Sequence, residues 1–220
     1  TTEDGSHSLL NEELNETYHS TRGAKGESLH VFIKEGLEHW FSDKQADSIR
    51  ILEVGFGTGL NAFLTALWAS EHNKQVHYTA IEPFPVKPAF TNQLNYHQDE
   101  NERALLLQIH EKKWEKSGPV ATSFNLLKTV SRIEEFESAV KFDIIYFDAF
   151  APKKQPEIWS LAVLKKCYDL LSSPGLLTTY CAQGQFKRDI KEAGFEVQTL
   201  GGAMGKKEMV RGIKAPVASI

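Results

Sequence analysis

Three glycines on alternate positions after an acidic residue form the most informative segment of the chain. Residues 51–59 begin as an apolar run short enough for a buried strand, include Glu53, and continue through Gly55, Gly57 and Gly59. The residues that follow have the apolar spacing of a helix. Glycines at a strand-to-helix turn let the backbone bend sharply and let a ligand lie against main-chain atoms. The segment therefore predicts a ligand-binding loop, the alternative being a tight turn that binds nothing.

The glycine spacing disfavours one common ligand, and a second acid favours another. A dinucleotide fingerprint places its third glycine three residues after the second, whereas Gly59 follows Gly57 by two. Glu82 ends the strand-like run 76–81, about one strand-helix unit downstream. The carboxyl ends of adjacent parallel strands share one crevice, so Glu82 is expected to accept hydrogen bonds from both hydroxyls of a ribose. A solvated loop acid is the alternative.

A third acid opens a segment with two prolines. Asp148 follows the buried, strand-like run 142–147, and Pro152 and Pro156 come soon after it. A carboxylate at this position could orient a primary amine and take its proton before the nitrogen attacks an electrophile. The alternative is that Asp148 caps the loop and the prolines stiffen it.

The order of the elements predicts a parallel sheet with helices on both faces, because strand-like runs alternate with helical ones. Gly118 and Pro119 are expected to break the chain between two such elements. The strands are predicted at 51–54, 76–81, 124–130, 142–147, 176–180, 195–200 and 209–213. The helices are predicted at 29–41, 60–68, 133–136, 161–171 and 186–193.

Composition narrows the class of protein. The 220 residues, 41% of them hydrophobic, are enough for one globular domain with a proper core. No apolar segment approaches the ~18 residues of a membrane span, and the N-terminus lacks the features of a signal peptide. Neither the two cysteines nor the eight scattered histidines have metal-ligand spacing. We therefore expect a cytoplasmic protein without a metal site, and the net charge of −4 argues against bulk coating of nucleic acid.

The pattern E-x-G-x-G-x-G resembles the first motif of class I methyltransferases that bind S-adenosylmethionine. This resemblance implies an α/β, Rossmann-like, doubly wound fold with a mostly parallel seven-stranded sheet and an antiparallel last strand. It also implies S-adenosylmethionine as cofactor, with Glu82 on the ribose and Glu53 holding the loop or facing the α-amino group. Relatives often place an Asp after the third strand to touch the adenine, but no acid precedes Glu134 here, so that contact is unassigned. The cofactor-binding residues expected from the resemblance are Glu53, Gly55, Gly57, Thr58, Gly59, Asn61 and Glu82.

Longer motifs are spread over nearly the whole chain. They are Glu53-Val54-Gly55-Phe56-Gly57-Thr58-Gly59-Leu60-Asn61, Ile81-Glu82-Pro83-Phe84-Pro85, Asp148-Ala149-Phe150-Ala151-Pro152, Pro156-Glu157-Ile158-Trp159, Asp4-Gly5-Ser6, Tyr18-His19-Ser20, Gly23-Ala24, Glu27-Ser28 and Gly205-Lys206-Lys207-Glu208-Met209. Together they resemble the tRNA 5-methylaminomethyl-2-thiouridine methyltransferases. Members of that family transfer a methyl group from S-adenosylmethionine to the aminomethyl nitrogen of the wobble uridine of certain tRNAs. The resemblance implies the same reaction here, with Asp148 as the catalytic residue.

The family occurs as a stand-alone protein and as the N-terminal domain of a bifunctional enzyme that also has an FAD-dependent domain. These 220 residues contain no second glycine-rich nucleotide loop, so the resemblance implies methyl transfer without oxidase activity. We expect residues 1–220 to form a single methyltransferase domain, with an N-terminal extension of about 1–48 packed on or beside the cofactor site. A separate enzyme complex would then make the aminomethyl precursor.

Basic pairs in several loops predict contacts to a nucleic acid. Segments that follow strands or approach the final one contain Lys153-Lys154, Lys187-Arg188, Lys206-Lys207, Arg211 and Lys214. Loops at the carboxyl edge of the sheet would bring several of them around the active site. Such a rim would hold the phosphates of the tRNA anticodon arm while the flipped-out base enters the pocket. The substrate-binding residues expected are Phe150, which could stack on the base, Pro152, Lys153, Lys154, Lys187, Arg188, Lys206 and Lys207.

Two alternatives stay open at the level of sequence. One is a methyltransferase of the same fold that acts on a small amine such as a polyamine, whose positive charge an acidic active site would suit. The other is a non-catalytic domain of this fold that binds RNA. The presence of the glycine loop, Glu82 and Asp148 together disfavours the non-catalytic alternative, because a domain without activity has no physical need for all of them.

Overall fold

The computed structural model describes residues 1–18 and 22–216 of the chain. His19 and Ser20, which belong to one of the N-terminal motifs, lie outside the described residues. The strands are β1 (Leu10–Asn11), β2 (Glu16–Thr17), β3 (Ser48–Val54), β4 (Gln75–Ile81), β5 (Gly118–Ala121), β6 (Phe124–Thr129), β7 (Phe142–Phe147), β8 (Leu171–Thr179), β9 (Glu196–Gly201) and β10 (Glu208–Lys214). The α-helices are α1 (Ala24–Ser28), α2 (His39–Ser42), α3 (Leu60–Glu71), α4 (Pro88–Thr91), α5 (Glu100–Glu111), α6 (Leu161–Leu170) and α7 (Gly184–Glu192). A π-helix, Leu29–Glu38, joins α1 to α2, and a 3₁₀-helix, Pro156–Trp159, precedes α6.

Strands β3 to β10 form one sheet in the order β5-β6-β4-β3-β7-β8-β10-β9, and β1 pairs with β2 separately. The neighbours from β6 to β8 are parallel, whereas β10 is antiparallel to both β8 and β9. The expected α/β fold with a parallel centre and an antiparallel last strand is thus confirmed. The sheet has eight strands rather than seven, because the segment around Gly118 and Pro119, predicted as a break, pairs antiparallel with β6. An edge strand tolerates proline, which has no N–H to donate to a ladder.

An apolar layer covers each face of the sheet. The layer on one face includes Phe32 of the π-helix and Phe63 of α3, and the layer on the other includes Val163 of α6. Ile51 belongs to the first layer and its neighbour Leu52 to the second, as the two-residue period of a strand requires. Helices on both faces therefore hold β3 firmly in the centre, which fixes the position of the glycine loop that follows it.

Some local predictions were wrong, each for a physical reason. Residues 133–136 form a turn rather than a helix: the N–H groups of Glu135 and Phe136 both donate to the oxygen of Arg132, at 3.2 Å and 3.0 Å, so the hydrogen bonds close a single turn. Strand β8 begins at Leu171, five residues earlier than predicted, because Leu171 already pairs with Phe142 of β7. The first predicted helix also starts earlier, as α1, and continues through the π-helix into α2.

The carboxyl ends of the parallel strands meet at one edge of the sheet. The loops after β3, β4, β6, β7 and β8 begin at Gly55, Glu82, Val130, Asp148 and Tyr180. The glycine loop and two of the predicted acids therefore come together at this edge. Among the described residues, none of the helices has the length and apolar character that a bilayer crossing requires.

Candidate active site

The glycine loop turns sharply between β3 and α3. Gly55, Gly57 and Gly59 have φ angles of +91°, +48° and +73°, a region that other residues rarely adopt. A Cβ atom on Gly55 would lie 2.5 Å from the main-chain oxygen of Asp148. The N–H of Gly55 also donates to the oxygen of Ile81 at 3.0 Å, at the end of β4. The absence of a side chain at Gly55 therefore allows the loop to pack against the ends of both neighbouring strands.

Glu82 is fixed by the main chain around it. Its Oε2 accepts a hydrogen bond from the N–H of Gly57 at 3.0 Å, and its Oε1 accepts one from the N–H of Phe84 at 3.0 Å. Burial raises the pKa of this carboxyl group, and the two N–H donors lower it. Carboxylate oxygens can accept more than one hydrogen bond. Because Glu82 lines the cavity, it can also accept hydrogen bonds from a ligand.

Asn61, in the first turn of α3, bridges two carboxyl groups. Its Nδ2 donates to Oε1 of Glu53 at 3.0 Å and to Oδ2 of Asp148 at 2.8 Å. Glu53 is fully buried, and burial together with the charge of Asp148 holds its pKa well above the usual range. Neither Glu53 nor Asn61 lines the cavity, although the sequence predicted both as cofactor contacts. The side chain of Glu53 is enclosed because packed elements cover the faces of the sheet, and the structure brings it and Asn61 to Asp148 instead.

Asp148 is partly buried at the end of β7 and lines the cavity. Burial raises its pKa to about 7; the hydrogen bond from Asn61 lowers it, the charge of Glu27 raises it and that of Lys206 lowers it. A carboxyl group with a pKa near neutrality is suited to accepting a proton at physiological pH. The position and ionisation of Asp148 therefore fit the role of a proton acceptor.

A cavity of about 990 Å³ opens at this edge of the sheet. Part of its wall is the N-terminal segment, whose Tyr18 packs edge-on against Phe150 with ring centres 4.9 Å apart. Tyr18 also covers the glycine loop, since a Cβ atom on Gly57 would lie 3.0 Å from its ring. The predicted site residues that line this cavity are Gly55, Gly57, Glu82, Asp148, Phe150 and Lys206.

Comparison with known sequences identifies the family. A sequence profile described as S-adenosyl-L-methionine-dependent methyltransferase matches residues 91–215, more than half of the 220 residues. The chain belongs to this family. S-adenosylmethionine, which carries a methyl group on a positively charged sulfur, is therefore the methyl donor of this methyltransferase.

Individual relatives carry more specific names. The tRNA 5-methylaminomethyl-2-thiouridine biosynthesis bifunctional protein MnmC of Burkholderia thailandensis is 29% identical over 217 residues, which cover 90% of this chain and 32% of that protein. The protein of the same name from Burkholderia mallei is 29% identical over 230 residues, covering 90% of this chain and 33% of that one. This methyltransferase thus spans about a third of the length of the curated relatives it matches.

Solved structures agree with the family. MnmC2 of Aquifex aeolicus matches with a TM-score of 0.78 and 29% identity, covering 100% of this chain and 70% of that one. The amino pentose methyltransferase CalS10 of Micromonospora echinaspora matches with a TM-score of 0.51 and 11% identity, covering 88% of this chain and 92% of that one. The second likeness concerns the fold alone. The expected class I methyltransferase fold is thereby confirmed.

The residues around the cavity fit S-adenosylmethionine. Gly55 and Gly57 present main-chain atoms without side chains, and the fixed carboxylate of Glu82 lines the same cavity, where it can accept hydrogen bonds from hydroxyl groups. Thr58 and Gly59, also predicted to bind the cofactor, do not line the cavity. The hydroxyl of Tyr96 hydrogen-bonds to Oγ1 of Thr58 at 2.9 Å, so this part of the loop is held from behind.

The loop after β6 contributes cavity residues where the sequence left the adenine contact unassigned. Ser131, Arg132, Ile133 and Glu134 line the cavity, and the guanidinium group of Arg132 lies 5.5 Å from the ring centre of Phe84. Lys128 of β6 does not face it. That buried side chain donates through Nζ to the main-chain oxygens of Ile109 and His110, at 2.9 Å and 2.8 Å.

Among the cavity residues missing from the predicted site, three contact predicted site residues. Tyr18 covers the glycine loop, Glu27 forms an ion pair with Lys206, and the ring centre of Tyr180 lies 4.5 Å from the Lys206 Nζ. Tyr18 and Glu27 belong to the N-terminal motifs that resembled the family, so the motifs themselves were the available signal. Tyr180 follows β8 and had no signal beyond its place at a strand end.

Several predicted substrate-binding lysines have partners within the protein. Lys154 donates to the oxygens of Leu14 and Asn15, at 2.8 Å and 3.2 Å, and so anchors the N-terminal segment over the loop after β7. Lys187 forms an ion pair with Glu208 at 2.6 Å. None of the following predicted residues lines the cavity: Pro152, Lys153, Lys154, Lys187, Arg188 and Lys207. Among these, Lys153, Arg188 and Lys207 are exposed.

Arg211 and Lys214, two of the basic residues considered for the rim, lie away from the cavity. Arg211 is buried in the middle of β10 and donates to the main-chain oxygen of Glu35 at 2.9 Å. Lys214 donates to the oxygens of Tyr168 and Leu171, the latter at the start of β8. Because β10 is antiparallel to β8, its later residues move away from the carboxyl edge where the cavity lies.

The cavity wall is more acidic than basic. Its cationic side chains are Lys87, Arg132 and Lys206. Its carboxyl side chains are Glu12, Glu13, Glu16, Glu27, Glu82, Glu134, Asp148 and Glu157. Within the described part of the chain, His, Cys, Asp and Glu residues form no group of three or more that could hold a metal ion. The negative charge therefore suits a positively charged organic ligand.

Proposed function

We propose that this methyltransferase transfers a methyl group from S-adenosylmethionine to the aminomethyl nitrogen of 5-aminomethyl-2-thiouridine at the wobble position of tRNA, giving 5-methylaminomethyl-2-thiouridine. The observation that carries the proposal is Asp148, a carboxyl group with a pKa of about 7 that lines the cavity next to the glycine loop. The MnmC relatives, named for the biosynthesis of this nucleoside, support the choice of substrate.

The acceptor nitrogen must lose a proton before it can react. A primary amine is mostly protonated near neutral pH, and only the neutral form has a lone pair to attack a methyl group. The Asp148 carboxylate would bind the ammonium form, orient it and accept one proton. Asn61 fixes the direction of this carboxylate through its 2.8 Å hydrogen bond to Oδ2. Most of the acceleration would then come from positioning rather than from covalent catalysis.

The cavity and its surroundings suit a base that has left its stack. Phe150 and Tyr18 are paired aromatic side chains in the cavity wall, and unstacked bases bind RNA-modifying proteins by stacking on such rings. The exposed Lys153, Arg188 and Lys207 lie outside the cavity, at the surface, where they could contact phosphates of the anticodon arm. This function would operate in the cytoplasm, after a separate enzyme complex has made the aminomethyl group.

Nucleoside analysis tests the proposal directly. The protein is incubated with labelled S-adenosylmethionine and tRNA that carries the aminomethyl group but lacks the methyl group, and the digested nucleosides are identified. The expected product is labelled 5-methylaminomethyl-2-thiouridine. The Asp148→Asn variant serves as the matched control, with much less label. Label absent from this nucleoside, or found in another one, would reject the proposed substrate; tRNA binding without transfer would favour a non-catalytic RNA-binding domain.

A small amine is the second candidate, because carboxyl groups predominate in the cavity wall. The dependence on salt separates the two. Binding through tRNA phosphates should weaken steeply as the salt concentration rises, whereas binding of a polyamine should show a much shallower slope. Methyl transfer to a polyamine at a rate comparable to that on tRNA would favour the small-amine enzyme.

A further inference from the structure

Lys206 is a cation held at the part of the cavity that contains Asp148. Its Nζ forms an ion pair with the buried carboxylate of Glu27 and lies 4.5 Å from the ring centre of Tyr180. The hydroxyl of Tyr180 donates to the main-chain oxygen of Ala149, the residue after Asp148, at 2.7 Å. Lys206 and Glu27 are both near enough for their charges to act on the Asp148 carboxyl group. The ammonium group of Lys206 is therefore fixed close to the proposed proton acceptor.

This arrangement favours a ligand that offers a hydrogen-bond acceptor beside its amine. A protonated amine on Asp148 would lie near the Lys206 cation, and an acceptor that binds Lys206 would offset the repulsion between the two. A uracil ring with a 5-aminomethyl group has such an acceptor, because O4 is bonded to the carbon next to C5. One base can thus place its amine on Asp148 and its carbonyl oxygen on Lys206.

We propose that Lys206 donates a hydrogen bond to the 4-oxo group of the target uridine, and that Glu27 holds Lys206 in position for this contact. The assignment rests on the proposed function and makes it more specific. Lys206 is thereby assigned to the edge of the base, whereas the sequence predicted a contact between Lys206 and the tRNA phosphates. Cytosine has an amino group in place of O4, and that group would direct N–H donors at the ammonium group. The pair of Lys206 and Glu27 would therefore determine which pyrimidine is methylated.

Two anticodon-arm RNAs test this assignment. They are identical except that one carries 5-aminomethyl-2-thiouridine and the other 5-aminomethyl-2-thiocytidine at the wobble position. The wild-type protein is expected to prefer the uridine RNA by about 10- to 100-fold in kcat/KM, as a hydrogen bond from a charged group allows. Lys206→Met should reduce this preference to about threefold or less, and Lys206→Arg should keep most of it. Lys191→Met, which removes an exposed lysine of α7, is the matched control and should leave the preference unchanged.

A merely structural role for Lys206 gives a different result. The rate would then fall on both RNAs in Lys206→Met while the preference stayed the same, and the assignment would be overturned. Glu27→Gln is a second variant that keeps a polar side chain in the buried position. It should weaken the preference and leave the affinity for S-adenosylmethionine, measured by calorimetry, unchanged.

The experiment distinguishes failure of the proposed function from failure of the proposed role of Lys206. A wild-type protein that methylates both RNAs equally would overturn the role of Lys206 and leave the amine methylation intact. The role of Lys206 would also be overturned if the wild-type protein methylated only the uridine RNA and the Lys206→Met variant showed the same full preference. A wild-type protein that methylates neither RNA would overturn the proposed function and the role of Lys206 together.

Discussion

Two clusters of polar side chains, each partly buried, are built in opposite ways. The carboxylate cluster consists of Glu53, Asn61 and Asp148, in which the amide of one Asn61 serves two carboxyl groups. The arginine cluster consists of Glu35, Gln198 and Arg211. There the guanidinium group donates to the carboxylate and main-chain oxygen of Glu35 and to Oε1 of Gln198, at 3.3 Å, 2.9 Å and 2.9 Å. The first cluster places two carboxyl groups around one neutral donor, whereas the second pairs opposite charges.

The different composition of the two clusters indicates that the carboxylate cluster belongs to a ligand site and that the arginine cluster is a structural contact. In the carboxylate cluster burial raises the pKa of both Glu53 and Asp148, and the hydrogen bond that each accepts from the neutral amide of Asn61 lowers it. Carboxyl groups whose pKa values are raised by burial are characteristic of functional sites, where a cationic ligand can favour the ionised form. A sulfonium group and a protonated amine are ligands of the required sign. The arginine cluster has no such need, and it lies within the sheet and its covering π-helix.

Removal of Asp148 should have the largest effect. Asp148→Ala is expected to lower turnover by about 10²–10⁴-fold, the contribution of a positioned general base, while affinity for S-adenosylmethionine is retained. Asp148→Asn keeps a hydrogen-bond acceptor and should be the less damaged variant. Single-turnover rates on methyl-deficient tRNA measure both. Part of the rate of Asp148→Ala should return at high pH, where more of the amine is already neutral.

Near-normal turnover of Asp148→Ala at every pH would contradict this role. Asp148 would then be a loop cap, and the contrast between the clusters would lose its functional meaning. Calorimetry with S-adenosylmethionine on the same variants separates loss of chemistry from loss of the fold.

Arg211→Met should affect stability and not chemistry. Removal of the guanidinium group leaves the oxygens of Glu35 and Gln198 without their donor, and we expect the free energy of unfolding to fall by about 2–3 kcal/mol. Urea denaturation measures the change, with Lys191→Met as an exposed control of the same size. Turnover per folded molecule should stay within about twofold of wild type. A selective loss of turnover in a stable Arg211→Met protein would mean that the arginine cluster also serves the site.

Glu82→Ala should weaken cofactor binding by about 1.5–3 kcal/mol, the range for hydrogen bonds to a charged group. The reason is that Glu82 lines the cavity with a carboxylate held by two main-chain N–H groups. Calorimetry with S-adenosylmethionine measures the effect. Glu71→Ala, at the exposed end of α3, is the control. An unchanged affinity in Glu82→Ala would place the ribose contact elsewhere.

The fold and the main loop could be predicted from the sequence because each depends on a local pattern. Short segments of a few residues are enough to recognise the glycines, the strand before them and the acids at the strand ends. The α/β fold predicted from them was confirmed. The edge strand β5 could not be predicted in this way, since its pairing with β6 overrides the local preference of Gly118 and Pro119. Leu171 was predicted as the last residue of a helix but begins β8, because it pairs with Phe142 of β7.

The partners of the site residues depend on contacts between distant segments. Glu53 gave a strong signal as part of the motif, but only the packing of α3 against β3 and β7 shows that Asn61 ties it to Asp148. The pairing of Glu27 with Lys206 joins residues 179 positions apart. Sequence patterns of short range carry no information about such pairs.

The smallest expected effect is a shift in the pH dependence of turnover, and its sign follows from the charges around Asp148. Asp148 must be ionised to accept a proton, so turnover should rise with pH through its pKa of about 7. Burial and the charge of Glu27 raise this pKa. The hydrogen bond from Asn61 and the charge of Lys206 lower it. Charges of Asp148 in turn act on Glu53, Tyr78 and Tyr180.

Glu27→Gln and Lys206→Met should therefore shift the rising limb of the pH profile in opposite directions. The neutral Gln removes a charge that favours the protonated form of Asp148, so the limb should move to lower pH, by a few tenths of a unit to about one unit. Loss of the Lys206 cation should move it to higher pH. Single-turnover rates between pH 5.5 and 9 on one RNA substrate measure both shifts, because the amine of that substrate titrates identically in every variant. Glu38→Gln, at an exposed position of the π-helix that continues from α1, is the control and should not shift the limb. Shifts of the same sign in both variants would show that the limb reports a group other than Asp148, and the carboxylate cluster would then not be the site of proton transfer.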